Sequence, residues 1–368
     1  MGADNVMMGS VGTPEISVCV ATCNRAPLLP RLISALEHQS IDPSRFEVVI
    51  ADDASIDDTV EVLGALRQQS SLQIRVVRND ERGGPASARN LAWRCATAPL
   101  VAFTDDDCVP APGWLAAHIA ELSRFDISQG RVVPDPVRKA EAGPLDRWIG
   151  VEEENGLYET CNISYRKSWL ERVGGFDPLF RRAGEDADLA WRAKEAGARS
   201  SFAPDALVYH DVDRFSWRRE LRNTRRWAGV LLLVDRHPHL RRRFGAGRAW
   251  RGAHRPVALA AAGALLACWG IASRKSIFVI AGVAANGPYA WYRFHVDFVG
   301  RTRRERLLCM APLLTIDLCE VSVITATRLR LWLRSLLRRQ AASPAQGTAE
   351  PVSPAGERGG KGPPPGCR

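Results

Sequence analysis

Short apolar runs rich in β-branched residues alternate with segments of helical periodicity up to about residue 130. The segment LLPRLISALE, for example, has its leucines and isoleucine at positions three and four apart, as one face of a helix requires. This alternation predicts an α/β fold with a doubly wound, mostly parallel sheet, because helices connect parallel strands and bury them on both faces. The four apolar runs are ISVCVA (16–21), FEVVIA (46–51), LQIRVV (72–77) and PLVAF (99–103).

The pattern changes in the second half of the chain, which turns apolar from Pro256 onwards. The first two apolar stretches have the composition of a hairpin of two short membrane spans, although a helical subdomain of a soluble protein shows the same pattern. The third stretch carries Asp317 and Glu320, which favours an interfacial or partly buried helix. The three stretches cover about 256–273, 276–292 and 307–327.

These changes of pattern divide the chain into four parts. A compact α/β domain precedes a basic linker with membrane-associated helices, and the composition of the last residues is typical of disorder. We predict a flexible N-terminus (1–13), the α/β domain (14–235), the linker and membrane-associated helices (236–340) and a disordered tail (341–368).

The net charge of +9 is concentrated around the apolar stretches, where basic runs occupy residues 241–255 and 328–339. Basic residues that border apolar helices indicate an anionic membrane surface as the partner and argue against nucleic acid. By the positive-inside rule these runs lie at the cytoplasmic face, so we predict a protein of the cell inner membrane whose α/β domain is cytoplasmic. The nine cysteines show no CxxC pair and no zinc-type spacing.

Carboxylates cluster where two of the predicted strands end. Asp52 and Asp53 end the second run, and the triplet from Asp105 to Asp107 ends the fourth. Ligands of open α/β sheets bind at the carboxyl ends of the strands, so both clusters should meet in one crevice. Asp105 and Asp107 are spaced to bind Mg²⁺ or Mn²⁺, unless the triplet is a solvated turn. Asp53 is placed to accept hydrogen bonds from a base or ribose, or to form an Asx-turn.

Two further segments carry candidate chemistry. Gly83 and Gly84 allow the backbone to approach a ligand, and Arg89 follows on the first turns of the next helix. The segment is not GxGxxG, which disfavours a dinucleotide site. Glu185 and Asp186 begin another helix, where acids serve either as ordinary partners of the helix dipole or, for Asp186, as a general base.

Five motifs occur along the chain in one order, namely SVCVATCNR, FEVVIADDASIDDT, NDERGGPASARN, PLVAFTDDDCVPAPGWL and GEDADLAWR. In that order they resemble the catalytic domain of family 2 glycosyltransferases, which has the GT-A fold, and the resemblance covers roughly residues 14–230. It implies transfer of a sugar from a UDP- or GDP-sugar to an acceptor hydroxyl, with inversion of the anomeric carbon in one displacement. It also implies a divalent cation, Mg²⁺ or Mn²⁺.

The resemblance assigns the donor and cation sides of the site. Asp53 matches the carboxylate that meets the nucleoside, and Asp105 and Asp107 match the metal-binding pair. His210 lies where related enzymes place a metal or phosphate contact, while Asp106 is expected to turn towards the sugar or the surrounding backbone. The residues assigned to nucleotide-sugar binding are Thr22, Arg25, Asp52, Asp53, Arg89 and Asp106.

The resemblance also assigns the acceptor side. Asp186 matches the base that deprotonates the acceptor hydroxyl, and Asn162 and Glu185 lie in segments that resemble the acceptor side of the family. NTRRW resembles the QxxRW motif of processive members, with Asn in place of Gln. Arg226 is expected to stabilise the leaving diphosphate and Trp227 to stack near the acceptor. The replaced Gln and the few apolar stretches favour single addition over processive synthesis.

Two other functions remain open at the level of sequence. One is a sugar nucleotidyltransferase, which the acceptor-like segment GGFDP before GED disfavours. The other is a non-catalytic membrane-anchored protein that binds sugar, which the presence of every candidate acid disfavours. The sequence leaves open the donor sugar, the base and the acceptor, which is either lipid-linked or soluble.

Overall fold

A computed structural model describes residues 13–143, 145–242, 254–292 and 302–341. These residues form two compact units. The sheet unit comprises residues 13–142 and 146–214, and the helical unit comprises residues 143 and 145 and the described residues from 215 onwards. The predicted flexible N-terminus except Thr13, and the predicted disordered tail except Ala341, lie outside the described residues.

The sheet unit follows the predicted alternation, and each of the four apolar runs forms a strand. Its strands are β1 (Ile16–Thr22), β2 (Phe46–Asp52), β3 (Ile74–Arg78), β4 (Leu100–Asp105), β5 (Cys108–Pro110), β6 (Ile127–Pro134), β7 (Asn162–Arg166) and β8 (Ser200–His210). Its α-helices are α1 (Leu29–Glu37), α2 (Thr59–Gln69), α3 (Pro85–Cys95), α4 (Trp114–Leu122), α5 (Pro136–Ala140), α6 (Lys167–Val173) and α7 (Glu185–Glu195).

Within the described residues the strands form one mixed sheet in the order β3-β2-β1-β4-β7-β6-β8-β5. The first four pair in parallel, whereas β7 runs antiparallel to both of its neighbours. The register pairs Thr22 with Asp52 and Ala21 with Asp105. The predicted α/β class is therefore confirmed. Both acidic clusters lie at the carboxyl ends of the parallel strands, on the same side of the sheet unit.

Both faces of the parallel strands are buried, which explains why their sequences are continuous apolar runs. On one face, Val18 and Val20 of β1 belong to a core that includes Leu32 of α1. On the other face, Cys19 of β1 belongs to a second core that includes Phe103 of β4. The strand ends that carry the acids are thus fixed from both sides by packed side chains.

The helical unit contains six α-helices in the described residues. Trp227, Leu231 and Val234 of its second helix pack with Ile324 of its last helix. This packing explains why the compact units separate at residue 214, whereas the sequence pattern places the domain boundary at 235. The helices are α8 (Trp217–Asn223), α9 (Arg226–Arg236), α10 (His254–Ala272), α11 (Ser276–Ala284), α12 (Gly287–Tyr292) and α13 (Arg303–Ala341).

Helices α10 and α11 form a close hairpin that depends on glycine. A Cβ atom added to Gly263 would lie 2.6 Å from the carbonyl oxygen of Gly282, and one added to Gly270 would lie 2.7 Å from the amide nitrogen of Val279. Side chains at these positions would push the helices apart, as in the small-residue interfaces of membrane helices.

The second apolar stretch does not form the single span that its length suggests. It is divided into α11 with nine residues and α12 with six, and the side-chain amide of Asn286 between them donates to the Gly282 carbonyl at 3.0 Å. A membrane-spanning helix needs about 20 residues. Among the described residues, α10 is the one helix long and apolar enough to cross a membrane, a property that buried helices of soluble proteins share.

Candidate active site

A cavity of about 300 Å³ lies in the sheet unit beyond the carboxyl ends of β1, β2 and β4. This is the position at which open α/β sheets bind their ligands. The lining brings together four separate stretches of the sequence and includes residues from both acidic clusters. It consists of Ala21, Thr22, Cys23, Arg25, Asp53, Arg82, Gly84, Pro85, Ala88, Arg89, Asp105, Asp106 and Asp107.

Hydrogen bonds to Asp53 hold the turn at Gly83 and Gly84 against the end of β2. Its carboxylate accepts hydrogen bonds from the backbone N–H groups of Gly83 at 2.9 Å and Gly84 at 2.8 Å, and from the Asn79 side chain at 2.8 Å. A Cβ on Gly83 would lie 2.5 Å from the Cβ of Ser87, and Gly84 has a φ of +85°. The turn therefore requires both glycines, and Asp53 holds its backbone against the cavity.

Asp52 has a different environment, although it precedes Asp53 directly. Its side chain is buried, forms an ion pair with Arg78 at 2.8 Å and accepts a hydrogen bond from the backbone of Ser55. It is not among the residues that line the cavity. Successive side chains at the end of a strand point to opposite sides, which explains the different partners of Asp52 and Asp53. The predicted contact of Asp52 with a nucleotide stays a prediction.

The middle acid of the triplet turns away from its neighbours. Asp106 accepts a hydrogen bond from the Thr22 hydroxyl at 2.7 Å and lies 3.7 Å from the Arg25 guanidinium. Burial raises the pKa of Asp106 to about 7, and the charge of Arg25 opposes this rise. Thr22, Arg25 and Asp106 therefore meet on one side of the cavity.

The outer two acids of the triplet lie beside His210. Asp107 is 3.6 Å from the Nε2 atom of His210, and Asp105 and His210 also offer ligand atoms within 4.8 Å of each other. The Oδ1 atom of Asp107 is buried and accepts no hydrogen bond from the described residues. Two carboxylates and an imidazole suit Mg²⁺ or Mn²⁺, so the donor set fits a divalent cation.

Burial and nearby charges shift the pKa values of Asp105, Asp107 and His210. Burial raises the pKa of Asp107. Burial opposes the charge of Asp105 as well, but the adjacent Arg89 outweighs it and lowers the pKa of that carboxyl. Burial disfavours protonated His210, yet the charge of Asp107 reverses the effect and raises its pKa. The buried acids thus depend on nearby positive charge, which a bound cation would supply.

Arg89 connects the acidic triplet to the start of helix α7. Its buried guanidinium donates to Asp105 at 2.8 Å and to Glu185 at 3.1 Å, and it lies 3.5 Å from Asp186. Burial opposes the charge of Arg89, but the three carboxylates together raise its pKa. Arg89 thus lines the cavity, and its side chain is held by protein carboxylates.

The two oxygens of Asp186 have different surroundings. Oδ2 accepts hydrogen bonds from both the backbone N–H and the hydroxyl of Thr160, each at 3.0 Å. Oδ1 is buried and accepts no hydrogen bond from the described residues. Burial raises the pKa of Asp186. The sequence contains no signal that singles out Thr160, because it lies outside the five motifs and 26 residues before its partner.

Glu185 begins helix α7 and is almost completely buried. Its Oε1 atom accepts from Arg89, whereas Oε2 accepts no hydrogen bond from the described residues. Burial, and next the charge of Asp186, raise the pKa of Glu185 to about 7. Glu185 and Asp186 therefore do more than interact with the helix dipole, because both carboxylates lie beside the Arg89 guanidinium, which also binds Asp105.

Asn162 has a structural place that the sequence does not predict. It is fully buried, and its side-chain oxygen accepts from Trp114 at 2.7 Å and lies 2.9 Å from His118. Its amide group donates to the carbonyls of Arg131 and Ala206. The polar atoms of Asn162 are thus bonded inside the sheet unit. The predicted place of Asn162 on the acceptor side stays a prediction.

Arg226 and Trp227 belong to the helical unit. Arg226 lies 3.7 Å from the carboxylate of Glu320 in α13, and the ring of Trp227 stacks edge-to-face on His254, with centroids 4.7 Å apart. His254 in turn is 2.8 Å from Glu320. The motif NTRRW is therefore joined to α10 and α13 by a buried polar cluster, and its predicted role at a diphosphate stays a prediction.

Comparison with known proteins agrees with the resemblance of the motifs. Residues 17–186 match the family model described as glycosyl transferase family 2. The curated relatives include a pre-mycofactocin glycosyltransferase of Mycobacterium tuberculosis, 32% identical over 54% of this chain and 43% of the relative. A validoxylamine A glucosyltransferase of Streptomyces hygroscopicus is 40% identical over 50% of this chain and 49% of the relative. The chain thus spans about half the length of these relatives.

Solved structures show the same fold. A mannosyltransferase from Pyrobaculum calidifontis, determined in complex with GDP-Man and Mn²⁺, superposes with a TM-score of 0.55 and 19% identity. The superposition covers 86% of this chain and 87% of the mannosyltransferase. At this level of identity the likeness establishes the architecture, which is the predicted GT-A fold.

Proposed function

We propose, on the premise that residues 17–186 match the model of glycosyl transferase family 2, that the chain transfers a sugar from a UDP- or GDP-sugar to an acceptor hydroxyl. One observation carries the proposal. A single cavity collects the glycine turn held by Asp53, the acidic triplet and Arg89, and Arg89 reaches the candidate base Asp186. A nucleoside diphosphate needs positive charge and cation ligands of this kind near its phosphates.

The cation is part of the same proposal. Asp105, Asp107 and His210 would hold Mg²⁺ or Mn²⁺, because His210 offers a ligand atom within 4.8 Å of one from each of the two carboxylates. One buried oxygen of Asp107 is also not hydrogen-bonded within the described residues. When bound, the cation supplies positive charge for the diphosphate that leaves the sugar. Asp106 remains with Thr22 and Arg25, which supports Asp105 and Asp107 as the metal-facing pair.

Asp186 is the residue we assign as general base in an inverting displacement. Its Oδ1 atom accepts no hydrogen bond from the described residues, and burial raises the pKa of Asp186, as suits a general base. Arg89 lies between this base and the triplet, so that it fixes the distance between the acceptor side and the diphosphate side. No covalent intermediate with the protein is needed.

We also propose single addition at a membrane surface. The Gln of the processive motif is replaced by Asn223, which supports the addition of a single sugar to each acceptor. Large apolar side chains are exposed along α10 and α11, among them Leu265 at 74% and Ile280 at 65%. Exposed apolar surface of this kind is typical of membrane association. This placement suits a lipid-linked acceptor.

A thermal-shift panel of UDP- and GDP-sugars, with and without Mn²⁺, tests donor binding by the full-length protein. A ligand at one hundred times its Kd stabilises the fold by about 2.7 kcal/mol. The donor so identified is then incubated with the protein and a membrane lipid extract, and release of the nucleoside diphosphate is measured. Stabilisation by no nucleotide sugar would refute the proposal.

Asp186→Asn separates catalysis from binding in the same assay. General-base catalysis contributes about 10²- to 10⁴-fold, so the variant should lose turnover by this factor while its thermal shift with donor stays near that of the wild type. Asp205→Asn, an exposed aspartate of β8, is the matched control and should retain turnover. Full activity of the Asp186 variant would remove the base assignment. The anomeric configuration of the product, measured by NMR, tests inversion.

A further inference from the structure

Thr160 fixes one oxygen of Asp186 with two hydrogen bonds and leaves the other oxygen without any. Both donors of Thr160, its N–H and its hydroxyl, are directed at Oδ2 at 3.0 Å. Oδ1 accepts no hydrogen bond from the described residues, and the nearest cation is the Arg89 guanidinium at 3.5 Å. Thr160 itself is 1% exposed, so water does not compete for its hydroxyl. The carboxylate is therefore held with its two oxygens in defined, unequal positions.

The segment before Thr160 is clamped along the same helix that carries Asp186. The indole N–H of Trp191 donates to the Gly156 carbonyl at 3.0 Å, and Lys194 donates to the Tyr158 hydroxyl at 2.6 Å. Tyr158 is buried and has a φ of +53°, a conformation that costs a residue with a side chain about 1 to 3 kcal/mol. Two contacts from α7 thus hold the segment and place Thr160 against Asp186.

We propose that Thr160 is a positioning residue that makes Oδ1 of Asp186 the atom that accepts the proton of the acceptor hydroxyl. The inference rests on the proposed function, in which Asp186 is the base. As the proton moves to Oδ1, the hydroxyl oxygen forms its bond to the anomeric carbon. The bond from that carbon to the diphosphate breaks, and the leaving oxygen keeps the electron pair.

The Thr160 bonds also set the protonation of the base. Hydrogen bonds to a carboxylate favour its ionised form, so loss of the hydroxyl donor raises the pKa of Asp186 further. The acid limb of the pH profile should then move to higher pH. The other titratable groups that face Asp186 are Arg89 of α3, Asp105 of β4, Cys161, Tyr165 of β7 and Glu185 of α7.

The experiment uses full-length Thr160→Val and Thr160→Ser, with the donor found by thermal shift and with water as acceptor. Thr160→Val should lower turnover about tenfold, which is the effect of one hydrogen bond to a charged group, and should move the acid limb to higher pH. Thr160→Ser keeps the hydroxyl donor, so its turnover and the position of its acid limb should match those of the wild type. KM for the donor should stay the same, because Thr160 does not line the cavity.

Thr97 offers a matched control at the amino ends of the parallel strands, far along the strands from Thr160. The N–H and the hydroxyl of Thr97 donate to one carboxylate oxygen of Glu47, at 2.5 and 2.7 Å. Thr97→Val removes an equivalent bond near the amino ends of the strands, so it should lower the melting temperature without moving the acid limb. A Thr160→Val enzyme whose limb stays in place would overturn the proposal.

A second measurement keeps the proposal testable where turnover with water is slow. Thr160→Val and Asp186→Asn are combined in a double-mutant cycle of unfolding by denaturant, and the two should be coupled because they share hydrogen bonds. Additive effects would also overturn the proposal. Retained turnover in Asp186→Asn alone would instead refute the base assignment, so the two failures are distinguishable.

Discussion

Arg89 donates a 2.8 Å hydrogen bond to Asp105 and thereby joins helix α3 to the end of strand β4. The same guanidinium serves Glu185 and Asp186 at the start of α7. One positive charge therefore compensates three carboxylates, of which Glu185 is buried and Asp105 and Asp186 are partly buried. Because breaking a buried ion pair leaves uncompensated charge, this arginine is expected to matter both for stability and for the distance between the two sides of the site.

We expect Arg89→Met to lower the free energy of unfolding by about 3 to 5 kcal/mol, since the variant leaves buried carboxylates unpaired. Arg89→Lys keeps the charge but loses the planar fork, so it should be more stable than the Met variant and still lose turnover. Denaturant unfolding and donor turnover check both expectations. The control is Arg131→Met, which removes an exposed pair with Glu152 and should cost less than about 1 kcal/mol. Equal losses in Arg89→Met and Arg131→Met would contradict the role of Arg89.

Glu185 predicts a specific dependence of stability on pH. Its pKa in the folded protein is about 7, against an ordinary value of 4.5. The folded state therefore holds this proton more tightly than the unfolded state, so the stabilisation is complete below pH 4.5 and is lost as pH rises through 7. Glu185→Gln cannot ionise, so its melting temperature relative to the wild type should rise between pH 5 and pH 8, by an amount equivalent to about 1 to 3 kcal/mol.

The matched variant for this comparison is Glu152→Gln, at a carboxylate whose side chain is 63% exposed. It should follow the wild type at every pH. Melting temperatures of the three proteins, recorded in one buffer series without added divalent cation, provide the test. A constant difference between Glu185→Gln and the wild type across the series would show that Glu185 does not titrate in this range.

The strands, and the meeting of the acids at the carboxyl ends of those strands, could be predicted because both follow from local sequence. Runs such as FEVVIA are buried on both faces, and parallel pairing brings the ends of such runs to one edge. The order of β1 to β4 therefore places Asp53 and the triplet in one cavity. The start of helix α7 at Glu185 was also predictable, from acids that follow a glycine.

The contacts that the sequence did not predict are made between distant residues. Asp52 and Asp53 are neighbours of the same residue type that point to opposite sides of the chain. Asp52 forms an ion pair with Arg78, a residue that is distant in sequence. Asn162 lies in a segment that resembles the acceptor side of the family, but its side-chain oxygen accepts a hydrogen bond from Trp114 of α4 inside the core. Hydrophobic periodicity carries no information about such hydrogen bonds, because it records burial and not partners.

The exposed apolar face of α10 and α11 predicts binding to lipid vesicles. We expect the full-length protein to sediment with vesicles that contain anionic phospholipid, and Leu265→Asp with Ile280→Asp to lower vesicle affinity at least tenfold. The reason is that a charged side chain costs about 2.5 to 3.5 kcal/mol in the apolar region of a bilayer. Val137→Asp replaces a side chain of the sheet unit that is also 66% exposed, and it should bind vesicles normally. Equal binding by the double variant would exclude this face as the contact with lipid.

Asp107 predicts the dependence of donor binding on a cation. Its buried Oδ1 atom faces His210, and the same residue forms an ion pair with Arg25 at 3.3 Å. We expect Asp107→Ala to abolish the gain in nucleotide-sugar affinity that Mn²⁺ gives the wild type, because a ligand of the cation is lost. In the presence of a chelator the variant and the wild type should bind the donor alike. Calorimetric titration with and without Mn²⁺ measures both affinities.

The control for the cation experiment is Asp42→Ala, which removes an exposed carboxylate at the opposite edge of the sheet unit. Its donor affinity should depend on Mn²⁺ as strongly as that of the wild type. An equal loss of affinity for Asp107→Ala in Mn²⁺ and in chelator would mean that the carboxylate acts through Arg25 and not through a cation. Because Arg25 contacts both Asp106 and Asp107, Asp106→Asn measures that route separately, and it should leave the Mn²⁺ dependence in place.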